Sequence, residues 1–230
     1  TVPYYFNELR RRATRNAGQI AGIDVVDIIN EPTAAALTYA WTSGTLGQVG
    51  PSEAHRILVY DLGGGTFDVT LVEITATHLR VRATDGDTML GGMDWTDRLT
   101  EVVAEEIIEE GGVDPRDDPE AAFRLSQACE TAKRTLSERM VTTLRLAHDG
   151  GDYSVDLTRS RFERATADLL QRTRDTTELV LAQADVQGAD LDEIVLIGGS
   201  TAMPGVRTML EELGGQPPSD LLDPQLAVAQ

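Results

Sequence analysis

The sequence predicts an α/β protein in which helices cover the faces of a sheet. Three apolar stretches joined by short turns, ILVYDL, FDVTLVEI and LRVRATDGD, are typical of an antiparallel meander. A further buried strand is predicted much later in the chain, at 194–197. Helical patterns precede, separate and follow these strands, which is the order of elements expected for a layer of helices on a sheet.

The first part of the chain is predicted to contain two helices and a short strand. After an extended segment, Asn7 can cap a helix over about 8–21, because its side chain can accept from free helix N–H groups. The β-branched run at 25–29 predicts a buried strand. A second helix begins within NEPTAAALTYAW, where proline is tolerated in the first turn. The Gly-, Ser- and Thr-rich segment 42–53 predicts a loop or a boundary between lobes.

After the meander, the pattern predicts two helices and a hairpin. The helices cover about 95–110 and 118–138, separated by the breaker sequence GGVDPRDD. The hairpin strands, 141–147 and 153–157, flank the turn sequence HDGGD.

A long helix is then predicted to run to about residue 184, with Thr158 or Ser160 as its cap. Ser160 and Glu163 have the spacing of a capping box. Following the strand at 194–197, GGSTAMP leads into a short helix that ends at Gly214, and the tail stops on what would be the first turn of another helix.

Composition excludes several classes of function. The net charge of −18 should repel nucleic acid and acidic membranes. No apolar run reaches the roughly 18 residues of a membrane helix, and TVPYY at the start is neither a start methionine nor a targeting leader. Cys129 is the only cysteine, which rules out a disulfide framework and fits a reducing, cytoplasmic location. The three histidines are scattered, so a histidine metal cluster is not expected.

Lys133 is the only lysine, and all other basic side chains are arginines. Two explanations stay open for this bias: a GC-rich genome, or an acidic surface suited to high salt. In either case, any reaction step that requires a lysine within this chain must use Lys133.

The segment from Asp61 to Asp68, DLGGGTFD, is the strongest candidate site. Glycine N–H groups in a tight bend can close on an anion and form a phosphate nest. Asp61, at the end of a strand beside that nest, is suited to holding Mg²⁺ through water or to orienting an attacking water. Thr66 adds a hydroxyl. The alternative is a glycine-rich hairpin turn with a surface aspartate.

Two weaker candidates accompany it. Gly198, Gly199 and Ser200 follow a buried strand and precede a helix, which suits phosphate or ribose oxygens but also an ordinary strand–helix corner. A second group shares one face of the helix at 118–138 and could hold a nucleoside, or could be a solvated, ion-paired face. Its members are Glu130, Lys133, Arg134 and Ser137.

Six motifs together resemble the ATPase domain of heat-shock protein 70 chaperones of the DnaK type. They are VPYYFN, AGIDVVDIINEPTAAAL, DLGGGTFDV, GDTMLGGMDW, ACETAKRTLS and VLIGGSTAMP, and they follow the family order over nearly the whole chain. The resemblance implies part of an actin-like ATPase (ribonuclease H-like fold): a lobe with a mixed sheet, flanking helices and an α-rich insertion subdomain.

The resemblance also implies roles for residues at the phosphate end. Gly63, Gly64, Gly65 and Thr66 would form the second phosphate loop, with Thr66 at the γ-phosphate. Asp61 would act through the Mg²⁺ water shell and the attacking water. Glu31 would lie beside that water, and Asp68 would support the site.

Further roles follow for the rest of the nucleotide and for regulation. Gly91 and Gly92 would contact ribose and phosphate as a hinge, Glu130 and Lys133 the ribose, and Arg134 and Ser137 the adenine. Gly198, Gly199 and Ser200 would lie under the ribose and α-phosphate. Pro3 and Arg11 would relay the nucleotide state to the substrate domain.

Three positions depart from the family pattern. Ala202 replaces an arginine that sandwiches the adenine, a change that removes roughly 0.5–2 kcal/mol of cation–π interaction. Met93 replaces a common acidic residue, and Gln225 a common aspartate. In the family, the first phosphate loop and the catalytic lysine precede the equivalent of Thr1, and the peptide-binding domain follows the equivalent of Gln230.

The resulting expectation is that 1–41 is the tail of the first lobe, 54–92 and 159–230 the core of the second lobe, and 93–158 its insertion subdomain. The implied ligands are ATP or ADP with Mg²⁺. The implied partners are a J-domain co-chaperone, a nucleotide exchange factor and, through a missing C-terminal domain, unfolded polypeptide. The fragment alone is expected not to hydrolyse ATP. Alternatives are a non-hydrolysing chaperone-like scaffold, or an actin-like filament or sugar-kinase relative.

Overall fold

The computed structural model of the chain describes residues 1–45, 50 and 53–229. Part of the predicted loop at 42–53, namely 46–49 and 51–52, lies outside the described residues. The helices are α1 Glu8–Ile20, α2 Glu31–Thr42, α3 Gly92–Glu109, α4 Pro119–Glu138, α5 Arg159–Ala165, α6 Ala167–Gln183 and α7 Pro204–Gly214. The strands are β1 His55–Leu62, β2 Phe67–Ile74, β3 Leu79–Asp87, β4 Val141–His148, β5 Gly151–Thr158 and β6 Glu193–Ile197.

The central sheet has the order β3-β2-β1-β6. Strands β1, β2 and β3 form the predicted antiparallel meander, while β6 pairs with β1 in parallel. The prediction of a mixed sheet is therefore confirmed. Strands β4 and β5 form a separate antiparallel hairpin, as HDGGD indicated.

Side-chain alternation along β1 divides the core into two clusters, one on each face of the sheet. Leu58 and Tyr60 enter the larger cluster, which contains apolar residues of α3 to α7 and of the hairpin. Ile57 and Val59 enter the smaller one, which contains α2 and residues of the tail. This follows from the two-residue period of a strand. Helix α2 thus lies on the sheet, on the face toward which Asp61 also points by alternation.

Several predicted helix ends are confirmed. The Asn7 side chain accepts from Arg10 N–H at 3.0 Å, and α4 begins at Pro119 with Asp118 as its cap. Helix α3 begins three residues earlier than predicted, at Gly92, because the Asp94 carboxylate accepts from Gly91 N–H at 2.7 Å and completes a cap there. The tail forms a turn, with Ala227 N–H donating to Asp223 O at 2.9 Å.

The predicted strand at 25–29 is wrong. Only one isolated bridge, Val2 with Asn30, lies nearby in the described part of the chain. Val26 is 89% exposed and Ile29 is 38% exposed. A β-branched run becomes a buried strand only where neighbouring strands and cover on its faces are present, and the described residues supply neither here.

The predicted single helix ending near residue 184 is also wrong, because it divides at Thr166 into α5 and α6. The Ala165 carbonyl accepts from Arg98 Nη1 of α3 at 2.8 Å. Leu169 N–H, which in a continuous helix would donate to Ala165 O, donates instead to Thr166 O at 3.1 Å. An arginine from another helix therefore replaces one helical hydrogen bond. The cap of α5 is the Thr158 hydroxyl, which accepts from Arg161 N–H, and the Ser160–Glu163 capping box does not form.

No helix within residues 1–45 and 53–229 combines the length and apolar character that a bilayer crossing requires. Cys129 is buried in α4 as core filler.

Candidate functional site

The two predicted glycine loops meet because of the sheet register. Asp61 of β1 is paired with Ile197 of β6, and the two strands run in parallel. The segments that follow parallel strands emerge at the same edge of a sheet, where ligands of open α/β sheets usually bind. The bend at 63–66 and the loop starting at Gly198 are therefore neighbours. A Cβ atom on Gly198 would lie 2.3 Å from Leu62 O.

The three-glycine bend joins β1 to β2 and is interlocked with the Gly91–Gly92 hinge. Gly63 N–H donates to Thr66 O at 3.0 Å and closes the bend. Gly92 N–H donates to Gly63 O at 2.9 Å. A Cβ atom on Gly91 would lie 2.4 Å from Gly65 N, so no side chain fits there. The family resemblance implied that these two segments belong to one site, and the structure brings them into backbone contact.

The second loop is held by hydrogen bonds to two other segments, the tail and the three-glycine bend. Gly198 has a φ of 85°, which favours glycine, and its N–H donates to Pro224 O at 2.9 Å. The Ser200 hydroxyl donates to Gly63 O at 2.9 Å and joins the two loops directly. Residues 199–202 form a 3₁₀ turn, so α7 begins only at Pro204 and its N-terminus is one turn away from Gly199.

The charged face of α4 is an ordered network. Glu130 Oε2 lies 2.7 Å from Lys133 Nζ, and Glu130 Oε1 lies 2.7 Å from Arg134 Nε. Burial raises the pKa of Glu130, but hydrogen bonds from Lys133, Thr96 and Arg134 outweigh it and lower that pKa to about 2. The Glu130 carboxylate is thus held ionised at the edge of the cleft.

Both loops and this helix face line one open cleft of about 790 Å³, a size typical of small-molecule sites. The predicted site residues on its wall are Gly64, Gly92, Glu130, Lys133, Arg134, Ser137, Gly198, Gly199 and Ser200. Met93, Ala202 and Gln225, the three departures from the family pattern, line the same cleft. Since Ala202 is small, no guanidinium faces Arg134 from that position.

Sequence reasoning missed part of the wall. The unpredicted residues are Glu138, Ile197, Met203, Pro224 and Val228. Four of these are apolar side chains that offer a flat base a nonpolar surface. The contribution of Pro224 and Val228 could not be predicted from sequence spacing, because the tail folds back onto the cleft. Thr96 was missed as well, although it lies one helical turn after Gly92, a spacing that could have indicated it.

The predicted carboxylates gather at the same strand ends. Asp61 and Asp68 are directly opposite each other in the β1–β2 ladder, and Glu31 begins α2 above them. Burial, then the charges of Glu31 and Asp68, raise the pKa of Asp61 to about 7. Burial and the Glu31 charge likewise raise the pKa of Asp68 to about 7. The facing carboxylates, with few cations nearby, create a negative local potential that favours binding of a cation.

These carboxylates do not form a direct metal cage. Within the described residues, no group of three or more His, Cys, Asp or Glu side chains is arranged to bind a metal ion directly. Carboxylate oxygens are nevertheless the ligand type that Mg²⁺ accepts, and Mg²⁺ usually retains several of its waters. The cluster therefore fits Mg²⁺ held through its water shell.

The two predicted regulatory residues lie in the N-terminal segment, beyond the cleft wall. Arg11 donates from Nε to Phe6 O at 2.9 Å, and from Nη2 to the Asn30 side chain. Asn30 immediately precedes Glu31, so Arg11 contacts the residue next to the carboxylate cluster. Pro3 follows Val2, which pairs with Asn30.

Comparison with known proteins gives one consistent answer. The family model described as "Hsp70 protein" matches residues 1–230. The chain is 43% identical to the chaperone protein DnaK of Halobacterium salinarum, over 100% of this chain and 36% of the relative. It is also 43% identical to the chaperone protein DnaK of Trichormus variabilis and to the chaperone protein dnaK1 of a Nostoc species, over 100% of this chain and 33% of each.

Proposed function

Because this chain belongs to the Hsp70 family and has its actin-like ATPase fold, we propose that it is the rear part of an ATPase domain that binds ATP or ADP with Mg²⁺. In the whole protein, Mg²⁺-dependent hydrolysis of ATP would drive cycles of binding and release of unfolded polypeptide. The observation that carries this proposal is the single cleft of about 790 Å³ shared by both glycine loops and the α4 face.

At the phosphate end, the bend at 63–66 supplies backbone N–H groups and the Thr66 hydroxyl for the β- and γ-phosphoryl oxygens. Charge-assisted hydrogen bonds of this kind are worth roughly 1.5–3 kcal/mol each. Asp61 orients the attacking water or a water of the metal shell, with Glu31 beside it and Asp68 in support. Phosphoryl transfer depends mainly on such positioning and on charge stabilisation.

Magnesium would neutralise phosphate charge and the facing carboxylates together. Support comes from the raised pKa values of Asp61 and Asp68, since a nearby dication favours the ionised form that burial and mutual repulsion disfavour. Asp61 is the residue proposed to hold the ion, through water rather than directly.

At the nucleoside end, the ribose lies between Glu130 and the loop of Gly198, Gly199 and Ser200. The adenine lies between Arg134 and Ser137 on α4 and the apolar surface of the tail. With Ala202 in place of arginine, one stacking face is absent, and we expect affinity about 2- to 30-fold weaker than with a complete sandwich.

We propose that this chain is part of a longer protein. The chain spans about a third of the length of the curated relatives it matches. We propose that the lobe boundary lies within 42–53, that the protein works in the cytoplasm, and that a J-domain co-chaperone and a nucleotide exchange factor act on it. Pro3 and Arg11 would transmit the nucleotide state, since Arg11 binds the residue that precedes Glu31.

This chain alone is proposed to bind nucleotide weakly and to hydrolyse it little or not at all. Its only lysine, Lys133, is buried and donates to protein acceptors, so we propose that it does not act at a γ-phosphate. In this chain, the bend at 63–66 would then have to supply the groups that hold the β- and γ-phosphates.

The decisive test uses the full-length protein encoded by the gene. Asp61→Asn should lower the turnover of ATP by at least about 100-fold, while Mg-ADP affinity changes by less than about tenfold. Asp97→Asn, an exposed carboxylate of α3, is the matched control and should leave both unchanged. Wild-type turnover in the Asp61 variant would remove Asp61 from the reaction.

Met93, Ala202 and Gln225 support one second candidate, a non-hydrolysing chaperone-like scaffold that binds partners but not ATP. Calorimetric titration of the full-length protein with Mg-ADP separates the two. Saturable binding supports the ATPase, and the absence of heat at millimolar ADP supports the scaffold.

A further inference from the structure

Helix α2 carries Glu31 at its first residue and packs on the sheet through a smooth face. The fully buried residues of that face are alanines, namely Ala35, Ala36 and Ala40. They lie against branched side chains of β1, β2 and β6. A helix keeps its place on a neighbouring element mainly through side chains that interdigitate as ridges and grooves, and a methyl group projects too little to do this. The shape of the alanine face therefore does little to prevent α2 from sliding along the sheet.

Tyr39 differs from the other buried residues of this face. Only 6% of the residue is exposed, and its hydroxyl donates to the carboxylate of Glu193 at the start of β6. Burial, then this hydrogen bond, raises the pKa of Tyr39 above its usual value, so the hydroxyl keeps the proton that it donates. In the part of the chain that the structure describes, no other side-chain hydrogen bond joins α2 to the sheet. The Glu31 N–H donates to Val2 O at 2.9 Å, which joins α2 to the N-terminal segment instead.

The place of this hydrogen bond along α2 matches the place of Glu31. The helix runs opposite to β1 and β6, because Glu31 interacts with the charge of Asp61 near the end of β1 while Tyr39 contacts the start of β6. Tyr39 follows Glu31 by eight residues, which is about 12 Å of helix. Ile197, the partner of Asp61, follows Glu193 by four residues, which is about 13 Å of strand. Holding Tyr39 at Glu193 therefore keeps Glu31 level with Asp61.

Electrostatic repulsion opposes this placement of Glu31. Its charge acts on both Asp61 and Asp68, so the three carboxylates repel one another when they are ionised. This repulsion pushes the first turn of α2 away from the strand ends, and the alanine face offers little resistance to such a movement. The bond of Tyr39 to a carboxylate is charge-assisted and therefore stronger than a bond between neutral groups. Because α2 is a continuous helix, a bond about two turns away from Glu31 resists movement of the whole element.

We propose that Tyr39 is a positioning residue that, through its hydrogen bond to Glu193, holds α2 in the place along the sheet where Glu31 lies beside Asp61. Tyr39 is not part of the cleft wall, and it acts only through Glu31. The consequence for turnover rests on the proposed function, in which Glu31 lies beside the attacking water. The fixed place of α2 is a property of the protein without nucleotide.

The place of α2 is tested first without any ligand, by urea unfolding of this chain at pH 8 with EDTA. Glu31→Gln removes repulsion at the strand ends and should raise the unfolding midpoint. In a Tyr39→Phe background, α2 can move away from the remaining carboxylates, so Glu31→Gln should raise the midpoint by half as much or less. Tyr153→Phe changes a half-buried tyrosine of the hairpin and is the matched control. It should leave the gain from Glu31→Gln unchanged.

The second arm measures ATP turnover by the full-length protein. Tyr39→Phe should lower kcat about tenfold and change KM less than about threefold, because a group that acts on the attacking water is displaced. In a Glu31→Gln background, Tyr39→Phe should lower kcat by less than about a further twofold, since the group that it positions is already absent. Glu193→Gln keeps an acceptor for the Tyr39 hydroxyl and should retain most of the activity, whereas Glu193→Leu should behave like Tyr39→Phe.

Each arm can overturn the positioning role. An equal midpoint gain from Glu31→Gln with and without the Tyr39 hydroxyl would show that α2 keeps its place without this bond. Losses of kcat that multiply in the double variant of Tyr39 and Glu31 would show that Tyr39 does not act through Glu31. If the full-length protein hydrolyses no ATP, the proposed function fails, while the unfolding experiment still decides whether Tyr39 fixes α2.

Discussion

Among single residues, Asp61 and Asp68 are placed where their negative charges destabilise the fold. They face each other across β1 and β2, where like charges destabilise a sheet. Burial and the neighbouring carboxylates raise both pKa values to about 7 from a usual value near 4. Without a bound cation, this cluster lowers the stability of the fold. Such an arrangement is expected where residues were selected for function rather than for stability.

Asp61→Asn is therefore predicted to stabilise the chain in metal-free buffer at pH 8. A carboxyl group whose folded pKa exceeds its unfolded pKa destabilises the fold increasingly as the pH rises from about 4 to 7. The gain from Asp61→Asn should therefore be full at pH 8, roughly a third as large at pH 5, and absent only below about pH 4. We expect about 1–3 kcal/mol at pH 8 from urea denaturation with EDTA. Asp97→Asn serves as the control, and an equal gain at both pH values would contradict the assignment.

Gly198 is predicted to be the least replaceable glycine of the two loops. In Gly198→Ala, a left-handed backbone costs about 1–2 kcal/mol, and contact with Leu62 O adds to this. Gly150→Ala provides a matched comparison, because its φ is 75° but no atom lies within 4 Å of the added Cβ. Denaturation midpoints should show a loss of stability at least twice as large for Gly198→Ala as for Gly150→Ala. Equal losses would show that contact with Leu62 O adds no cost.

At this scale, the sequence predicted which residues gather but not what they bind. Residue type and spacing on one helix face grouped Glu130 with Lys133. The three acceptors of the lysine could not be predicted, because Gly92 and Thr96 lie about 40 residues earlier and reach it only through the packing of α3 on α4.

Among the secondary-structure elements, local signals predicted best. The meander and the hairpin were predicted because their strands are adjacent in sequence and their turns contain glycine. The division at Thr166 could not be predicted, since the guanidinium that opens the helix comes from Arg98, 67 residues away from Ala165. The segment 25–29 failed for a related reason: a strand depends on its neighbours more than on its own residues.

The C-terminus of α4 depends on one side chain from α5. Arg159 donates to Leu136 O at 2.7 Å, and to Ser137 O and Arg139 O at 3.2 Å each. These are carbonyl groups that a helix end leaves without intrahelical partners. The guanidinium thereby joins the predicted insertion subdomain to the predicted core of the second lobe, next to Ser137 of the cleft.

Arg159→Met should destabilise the chain by about 1–3 kcal/mol, because three carbonyl groups lose a charged donor. Arg159→Lys keeps the charge but not the planar fork, and it should retain only part of the stability. Equilibrium unfolding in urea measures both. Equal stability of the methionine and wild-type chains would mean that water satisfies these carbonyl groups equally well.

For the whole molecule, the dominant property is its charge. A net charge of −18 on 230 residues creates self-repulsion that opposes compact structure. The described arginines pair extensively with carboxylates, as Arg98 does with Asp168 and Arg161 with Glu106, but acidic residues outnumber basic ones. Stability should therefore depend on ionic strength.

Raising NaCl from about 0.1 to 1 M shortens the screening length from about 10 to 3 Å. The melting temperature at pH 8 should rise by about 5 °C or more. At pH 5, nearer the pI of about 4.4, the negative net charge is smaller and the rise should shrink. A melting temperature that falls with salt at pH 8 would show that screening of the ion pairs outweighs screening of the repulsion.

The parallel pairing of β1 with β6 has a consequence for biosynthesis. Val59 and its partner Val195 are separated by 136 positions. The meander of β1, β2 and β3 can therefore form on the ribosome long before β6, the fourth strand of the sheet, has been synthesised. During that interval, one edge of β1 offers unpaired backbone groups to any extended chain nearby. Translation speed between these two strands should thus influence how much of the newly made protein aggregates.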